Sequence, residues 1–189
     1  KHPSVIYNRG GNGEFGSLNE FKAVFILAKV ASWGYVVVGS QYRGNVGSEG
    51  VEEFGGKDVN DVLNLIPVLK ELEKADTSRM GLETRNDTIE TVYAKNIPNY
   101  AINTKVVLNA RSAIQQVDKM CKTTPILMLH GTNDLSVVPE MALDLSYEFL
   151  KKKIPHQLIL FKDGNHGLSE HRAEVNYQTK QWLDTYLKY

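Results

Sequence analysis

The chain has 189 residues, 42% of them hydrophobic, and its 22 Lys and Arg residues balance its 22 Asp and Glu residues. This length and composition favour one globular domain, and the balanced charge argues against strongly basic binders of nucleic acid or acidic membranes. No apolar run approaches the ~18 residues that a membrane span requires. From the charge balance and this absence together, we expect neither nucleic acid nor a membrane as a partner.

Predicted strands and helices alternate through the first 72 residues. A strand is predicted over 4–8, a helix over 21–31, a strand over 35–39 and a second helix over 59–72, in which Pro67 is expected to introduce a kink. The second strand contains three consecutive valines without polar alternation, a pattern typical of a parallel strand that is covered on both faces. The first part of the chain therefore predicts helices layered on a parallel sheet.

The middle of the chain departs from this alternation. Residues 76–82 look like the polar approach to a strand, yet residues 83–90 are polar and have no strand pattern, so no strand is predicted there. Short helices are predicted over 87–95 and 105–111. We interpret residues 83–112 as a helical insertion above the sheet.

Regular alternation resumes near Pro125 and continues to the end of the chain. The predicted elements are a strand over 126–130, a helix over about 139–152, a strand over 157–162 and a closing helix. The whole pattern predicts a single α/β domain over residues 1–189, with a doubly wound, mostly parallel sheet that carries helices on both faces.

Two ionisable residues follow the last two predicted strands, Asp134 after the first of them and His166 after the second. The carboxyl ends of strands in such sheets are where catalytic groups gather, so we expect these two side chains to meet. A carboxylate that orients an imidazole base is the chemistry of the last two members of a Ser-His-Asp triad. The alternative is that Asp134 caps the following helix or turn and that His166 is an ordinary loop histidine.

A glycine-rich loop follows the first predicted strand, and three interpretations of it stay open. Residues 11–16 match the dinucleotide fingerprint G-x-G-x-x-G, and Arg43 after the second strand could suit a 2′-phosphate. Against this, the helical stripe starts only after Leu18, which leaves no helix N-terminus ready for a pyrophosphate. Otherwise the loop is an oxyanion loop, in which Gly10 and Gly11 let a backbone N–H approach the developing charge, or simply a turn that needs positive φ.

The sequence predicts neither a cofactor nor a metal site. Glu170 and His171 lie shortly after His166, but no second cluster of potential ligands has a metal-binding spacing. The single cysteine, Cys121, cannot form an intramolecular disulfide, which fits a reducing compartment and predicts a cytoplasmic location.

Five short motifs occur in a fixed order and together extend over nearly the whole chain. They are Tyr7-Asn8-Arg9-Gly10-Gly11-Asn12, Gln41-Tyr42-Arg43-Gly44-Asn45-Val46-Gly47-Ser48-Glu49-Gly50, Asp76-Thr77-Ser78-Arg79, His130-Gly131-Thr132-Asn133-Asp134 and Gly164-Asn165-His166-Gly167. In this order they resemble the catalytic domain of the prolyl oligopeptidase family of serine peptidases, within the α/β-hydrolase superfamily. The resemblance implies a Ser-His-Asp hydrolase that acts on the carbonyl of a small peptide or ester, with Asp134 as the acid and His166 as the base.

The resemblance also suggests which residues lie around the substrate. In the oligopeptidases a Tyr whose hydroxyl helps to bind the oxyanion precedes the paired glycines, whereas this chain has Arg9 there. The oxyanion hole would then rely on backbone donors at Gly10 and Gly11 or on the Arg9 guanidinium. Arg43 and Ser136 are the candidates for the substrate side.

The nucleophile of such a triad is missing from this sequence. The chain contains no G-x-S-x-G, and none of its serines has the context of a nucleophile elbow. The family follows the segment that begins at Asp76 with a strand, the elbow, a helix and another strand, whereas here Gly81 runs directly into Leu82. From ordinary strand and helix lengths, about 35 residues are expected to be missing between Gly81 and Leu82, so the fold is expected to be incomplete.

Three functions follow as alternatives. The first is a parent serine hydrolase, a peptidase or esterase, whose Ser lies outside this sequence, so that the chain as it stands is inactive. The second is a non-catalytic relative of the hydrolases that binds or scaffolds. The third is dinucleotide binding through the glycine-rich loop. The sequence does not indicate an oligomeric state.

Overall fold

The computed structural model describes residues 1–11, 13–84 and 96–188, and for residues 79–84 it describes the backbone only. The chain falls into two compact units. The first comprises Lys1–Ile102 with Leu183–Tyr189, and the second comprises Asn103–Trp182. A single-domain organisation over residues 1–189 stays a prediction.

Three parallel strands form the sheet of the first unit. They are β1 (His2–Asn8), β2 (Val36–Gly39) and β3 (Ala75–Thr84), in the order β2-β1-β3. The register of β1 with β2 runs from Ser4 opposite Val36 to Tyr7 opposite Gly39. The central position of β1 explains why its middle residues are buried.

Helices cover both faces of this sheet, as predicted. Val5 packs with Val30 on one face, and Ile6 packs with Leu69 on the other. Successive residues of a strand point to opposite faces, so these two neighbours in β1 belong to two different cores.

The helix that carries Val30 changes its winding along its length. It begins as α1 (Glu20–Lys22), passes through a π-helical turn (Ala23–Leu27) and ends as α2 (Ala28–Ser32). The Asn19 side chain accepts a hydrogen bond from the Lys22 N–H at 3.0 Å and so caps the first turn.

The helix that carries Leu69 is interrupted, as its proline predicts. It consists of α3 (Val59–Leu63) and α4 (Leu65–Glu71), which meet at Asn64. Pro67 has no N–H to donate to the carbonyl four residues before it, and its ring crowds that carbonyl. The break therefore lies on the N-terminal side of Pro67 rather than at the proline itself.

Residues 76–82, which the sequence suggests as the polar approach to a strand, belong to a strand themselves, and that strand extends to Thr84, while residues 85–90 lie outside the described part of the chain. β3 runs through Gly81 and Leu82, which pair with Val5 and Ile6 of β1, and it ends at Thr84. Backbone hydrogen bonds to a neighbouring parallel strand do not require apolar side chains, so pairing overrides the polar sequence here. The register shifts between Pro3 and Ser4 of β1, because Pro3 pairs with Asp76 and Ser4 pairs with Met80. The residues between Asp76 and Met80 are therefore extra residues of β3.

The segment predicted as a helical insertion, 83–112, is helical only in its later part. Its first two residues belong to β3, and the predicted helix over 87–95 lies outside the described residues. The helix predicted over 105–111 is present as α5 (Tyr100–Asn109), with a non-helical residue at Asn103, and the short α6 (Ala113–Gln116) follows. The location of the insertion above the sheet stays a prediction.

The second unit contains two paired parallel strands, β4 (Ile126–Gly131) and β5 (His156–Phe161). Phe149 of α7 (Pro139–Lys151) packs against the face that includes Met128, and Val175 of α8 (Arg172–Leu187) packs with Phe161 and Leu129. No helix within the described ranges combines the length and apolar character that crossing a membrane would demand.

Candidate active site

A tight loop after β4 holds Asp134 in a fixed orientation. The residue is only 4% exposed. Its Oδ1 accepts hydrogen bonds from the backbone N–H groups of Ser136 and Val137, both at 2.9 Å. The carboxylate therefore caps its own turn, and this leaves Oδ2 to bind another group.

That other group is the imidazole of His166, on the loop after β5. His166 Nδ1 lies 2.8 Å from Asp134 Oδ2. A carboxylate can only accept, so Nδ1 donates this hydrogen bond, and Nε2 is the ring nitrogen that can act as a base. The side chain of His166 is 32% exposed, against 4% for that of Asp134, so solvent reaches the imidazole but not its partner. The structure thus brings together the two residues expected to meet, and the turn-capping alternative for Asp134 is fulfilled at the same time.

The hydrogen bonds around Asp134 decide the charge of its carboxyl group. Burial alone would raise its pKa, but the N–H of Val137, the His166 imidazole and the N–H of Ser136 together lower the pKa below its ordinary value. Asp134 is therefore ionised at neutral pH, as a group that orients and stabilises an imidazolium must be.

Two glycines allow the loops that carry the pair to approach each other. A Cβ built on Gly131 would lie 2.1 Å from the carbonyl O of Gly164, so only glycine fits there. Across this contact the Asn133 N–H donates to the Gly164 carbonyl at 2.9 Å, and the Thr132 N–H donates to the Phe161 carbonyl at 2.9 Å. The paired strands β4 and β5 and these bonds set the separation of Asp134 and His166.

His130 is a further residue of the site, for which the sequence motifs indicate no role. Its Nε2 lies 2.8 Å from the carbonyl O of Val137 and 3.4 Å from Asp134 Oδ2. A carbonyl only accepts, so Nε2 donates and ties both ends of the Asp134 loop together. The signal that the sequence offers for it is its position at the carboxyl end of β4, one residue before the strand ends at Gly131.

Ser136 and Arg43 are the residues that the resemblance suggests for the substrate side. Ser136 is exposed and lies two residues after Asp134, and its backbone N–H donates to the Asp134 carboxylate. Arg43, in the first unit, forms a two-point ion pair with Asp61, with distances of 3.1 and 2.8 Å. This bonding lowers the pKa of Asp61, and Arg43 also lines an open cavity of about 520 Å³ with Ser40 and Ser48. A guanidinium that is held by a carboxylate is poorly placed to receive a 2′-phosphate.

The candidates for the oxyanion hole lie in the first unit, directly after β1. Gly11 has a φ of 86°, which a residue with a side chain rarely adopts, and it leads into a loop that returns at Gly16. The first helix begins only at Glu20, beyond this loop, so the glycines do not open a helix as a dinucleotide fingerprint would. Arg9 is buried rather than directed to solvent, and its side chain is 0% exposed.

No cluster of three potential metal ligands occurs in the part of the chain that the structure describes. Glu170 accepts a hydrogen bond from the Asn165 N–H at 2.7 Å, and His171 Nε2 lies 2.9 Å from the Lys162 carbonyl O. Both side chains therefore support the His166 loop, which explains their occurrence beside it.

Solved structures that share the fold of this chain include two peptidases and an α/β serine hydrolase. A puromycin-hydrolysing peptidase of Mycobacterium tuberculosis matches with a TM-score of 0.75 and 17% identity over 100% of this chain and 34% of its own. Dipeptidyl peptidase 4 of Porphyromonas gingivalis matches with a TM-score of 0.74 and 15% identity over 98% of this chain and 31% of its own. Est1E of Butyrivibrio proteoclasticus, solved with ferulic acid, matches with a TM-score of 0.71 and 15% identity over 100% of this chain and 91% of its own. These likenesses confirm the predicted α/β-hydrolase-like fold.

The chain spans about a third of the length of the two peptidases. No curated protein sequence matches it. The family model of the prolyl oligopeptidase family, Peptidase_S9, matches residues 82–189, which is more than half of the chain. The resemblance predicted from the five motifs is therefore confirmed, and the chain belongs to the prolyl oligopeptidase family.

Proposed function

We propose that the chain is part of a serine hydrolase that cleaves small peptide or ester substrates at the carbonyl. The observation that carries this proposal is the 2.8 Å hydrogen bond between Asp134 Oδ2 and His166 Nδ1. The two side chains come from adjacent parallel strands whose carboxyl ends lie side by side, and the carboxylate is buried while the imidazole is accessible. This is the arrangement that a general base and its orienting acid require.

In the proposed reaction a Ser Oγ attacks the carbonyl carbon, and its proton passes to His166 Nε2. Asp134 holds the imidazole in the required tautomer and stabilises the imidazolium that forms. The oxyanion is stabilised by backbone N–H groups near Gly10 and Gly11. His166 then gives the proton to the leaving group, and a water molecule that His166 activates hydrolyses the acyl-enzyme.

The Ser of this reaction is proposed to lie in a segment between Gly81 and Leu82 that this sequence does not contain. Two observations support that location. The family match begins at Leu82, directly after the proposed junction. Gly81 and Leu82 of β3 pair with Val5 and Ile6 of β1, so the junction lies near the carboxyl end of β1, which leads into the glycine-rich loop. A Ser delivered there would lie at the edge of the sheet where that loop begins.

A second candidate function is favoured by the sequence itself. Without a G-x-S-x-G, a natural protein with this chain's organisation would be a non-catalytic hydrolase relative that binds or scaffolds. In that case Asp134 and His166 would serve to hold their loops together.

Labelling with a fluorophosphonate probe distinguishes the two functions. The 189-residue chain is expected to remain unlabelled, and a longer product of the same gene that contains the proposed segment is expected to be labelled. In the longer protein, His166→Ala should reduce ester hydrolysis by at least about 10³-fold, because the hydroxyl loses its base. Labelling of the 189-residue chain would show that the argument about the nucleophile is wrong. A gene that encodes no serine elbow would favour the non-catalytic function.

A further inference from the structure

The two ends of the glycine-rich loop, described at residues 10–11 and 13–16, come together. Gly11 and Gly16 both have a φ of 86°. A Cβ on Gly16 would lie 1.9 Å from the carbonyl O of Gly10, and a Cβ on Gly11 would lie 2.3 Å from that of Phe15. The two ends of the loop are therefore in direct backbone contact, and this shape depends on glycine at both positions.

The side chain of Arg9 is buried against this loop and binds its backbone. Its Nη1 donates to the carbonyl O of Phe15 at 3.1 Å. The guanidinium also stacks over the ring of Tyr42, 4.6 Å from its centroid, and the Tyr42 hydroxyl donates to the Arg9 carbonyl at 3.3 Å. The side chain is 0% exposed, so it has no direct access to a substrate from solvent.

Glu52, which lies 43 positions further along the chain, connects the same side chain to the backbone of the loop. Its Oε1 lies 3.7 Å from Arg9 Nη2, and its Oε2 accepts the Gly13 N–H at 2.8 Å. Asn45 Nδ2 lies 3.4 Å from the same Oε2. One buried carboxylate thus holds the guanidinium and the loop backbone together.

The arrangement is better suited to positioning than to stability. Burying two charges costs desolvation energy, which their attraction repays only when every donor is satisfied. Here Arg9 Nε and Nη2 have no hydrogen-bond partner among the described residues. Two apolar side chains of similar volume would fill the same space without that cost, but they would not bind the Phe15 carbonyl or the Gly13 N–H.

We propose that Arg9 and Glu52 are positioning residues that hold residues 10, 11 and 13–16 of the glycine-rich loop in the shape required for a backbone oxyanion hole, and that Arg9 does not bind the oxyanion itself. This inference rests on the proposed function. It replaces the expectation that the Arg9 guanidinium could serve as an oxyanion donor, because that guanidinium is buried against Glu52 and the Phe15 carbonyl.

The 189-residue chain allows the first test, which needs no catalytic activity. The variant Arg9→Met/Glu52→Leu removes both charges and keeps the volume, so the chain is expected to fold with an unchanged Tm. Amide exchange at Gly13 and chymotrypsin cleavage after Phe15, which is 73% exposed, are nevertheless expected to rise about tenfold or more. Glu53→Gln is the matched control, since its carboxylate binds the Lys57 backbone and side chain instead of the loop.

Arg9→Lys makes the test specific for the two-point contact. Lysine restores the charge, but a single ammonium cannot reach both the Phe15 carbonyl and Glu52 as the guanidinium fork does. In Arg9→Lys, amide exchange at Gly13 and chymotrypsin cleavage after Phe15 are therefore expected to stay faster than in the wild type. Unchanged exchange at Gly13 in Arg9→Met/Glu52→Leu would overturn the proposal.

The second test uses the longer protein that contains the proposed nucleophile. Glu52→Gln and Arg9→Met/Glu52→Leu are expected to lower kcat by about 10- to 100-fold with little change in KM, because a displaced oxyanion donor acts in the transition state. If Arg9 were itself a donor, Arg9→Met would lose far more activity than any change at Glu52, and the proposal would fail. If no longer protein is labelled by fluorophosphonate, the proposed function fails, while the exchange measurement still decides whether the pair positions the loop.

Discussion

Replacing Gly131 with Ala is expected to separate His166 from Asp134. The new Cβ would lie 2.1 Å from the Gly164 carbonyl O, whereas ordinary contact begins near 3.4 Å, so the two loops must move apart by roughly 1 Å. The Nδ1 to Oδ2 distance is 2.8 Å, and an increase of this size takes it beyond hydrogen-bond range. Overpacking of this kind costs about 1–3 kcal/mol, and each kcal/mol lowers the Tm of a chain this long by about 2–4 °C.

NMR of the ¹⁵N-labelled chain measures the pair directly. In the wild type the proton on His166 Nδ1 is expected to be protected from exchange by the Asp134 carboxylate, and in Gly131→Ala this signal should be lost. Gly167→Ala is the matched control, because its Cβ would meet only Asn165 Oδ1 at 3.5 Å, an ordinary contact. A Gly131→Ala chain that kept both its Tm and the protected proton would refute the argument that the glycine contact sets the pair.

Three further predictions concern charge, packing and thiol chemistry. The pKa of Asp134 is lowered in the folded chain, so its carboxylate contributes stability above the unfolded pKa and loses it as the pH falls through the lower folded pKa. The stability difference between wild type and Asp134→Asn in urea unfolding should therefore begin to narrow only below about pH 4. Leu69 is 0% exposed between Ile6 and the other residues of its core, so Leu69→Ala should cost about 2–5 kcal/mol in the same assay, and Leu72→Ala, at a residue 40% exposed, should cost clearly less. Hydrogen bonding from Thr123 and the adjacent Thr124 lowers the pKa of the exposed Cys121 thiol to about 6, so its alkylation rate by iodoacetamide should level off above pH 7 and should not rise further toward pH 9 as that of an ordinary thiol does.

The parts of the fold that follow from local pattern were predictable. The valine run of β2, the apolar stripe around Val30 and the strands that end before Asp134 and His166 all appear where the sequence places them. In each case burial and the period of a strand or helix agree, so a short window of sequence contains the signal. The break ahead of Pro67 belongs to the same class, because its cause is the proline itself.

The features that the sequence did not show depend on distant partners. β3 forms because β1 offers a parallel edge, and nothing in residues 83–84 indicates this. The resemblance suggests Arg9 as an oxyanion donor because it occupies the position of the family's oxyanion-binding Tyr, whereas in the structure its guanidinium is buried against the Phe15 carbonyl and Glu52, which is remote in the chain. A pattern of neighbouring residues cannot indicate whether a long charged side chain at the end of a strand will extend into solvent or be buried.

The Asp134–His166 pair obtains its geometry entirely from the second unit. Its supports are the pairing of β4 with β5, the contact between Gly131 and Gly164, and the turn bonds to Asp134. None of these involves the junction at Gly81 and Leu82, so the pair forms whether or not a nucleophile is present. The orienting carboxylate is ionised and already hydrogen-bonded to the imidazole, which is the state that a general base of the proposed reaction requires.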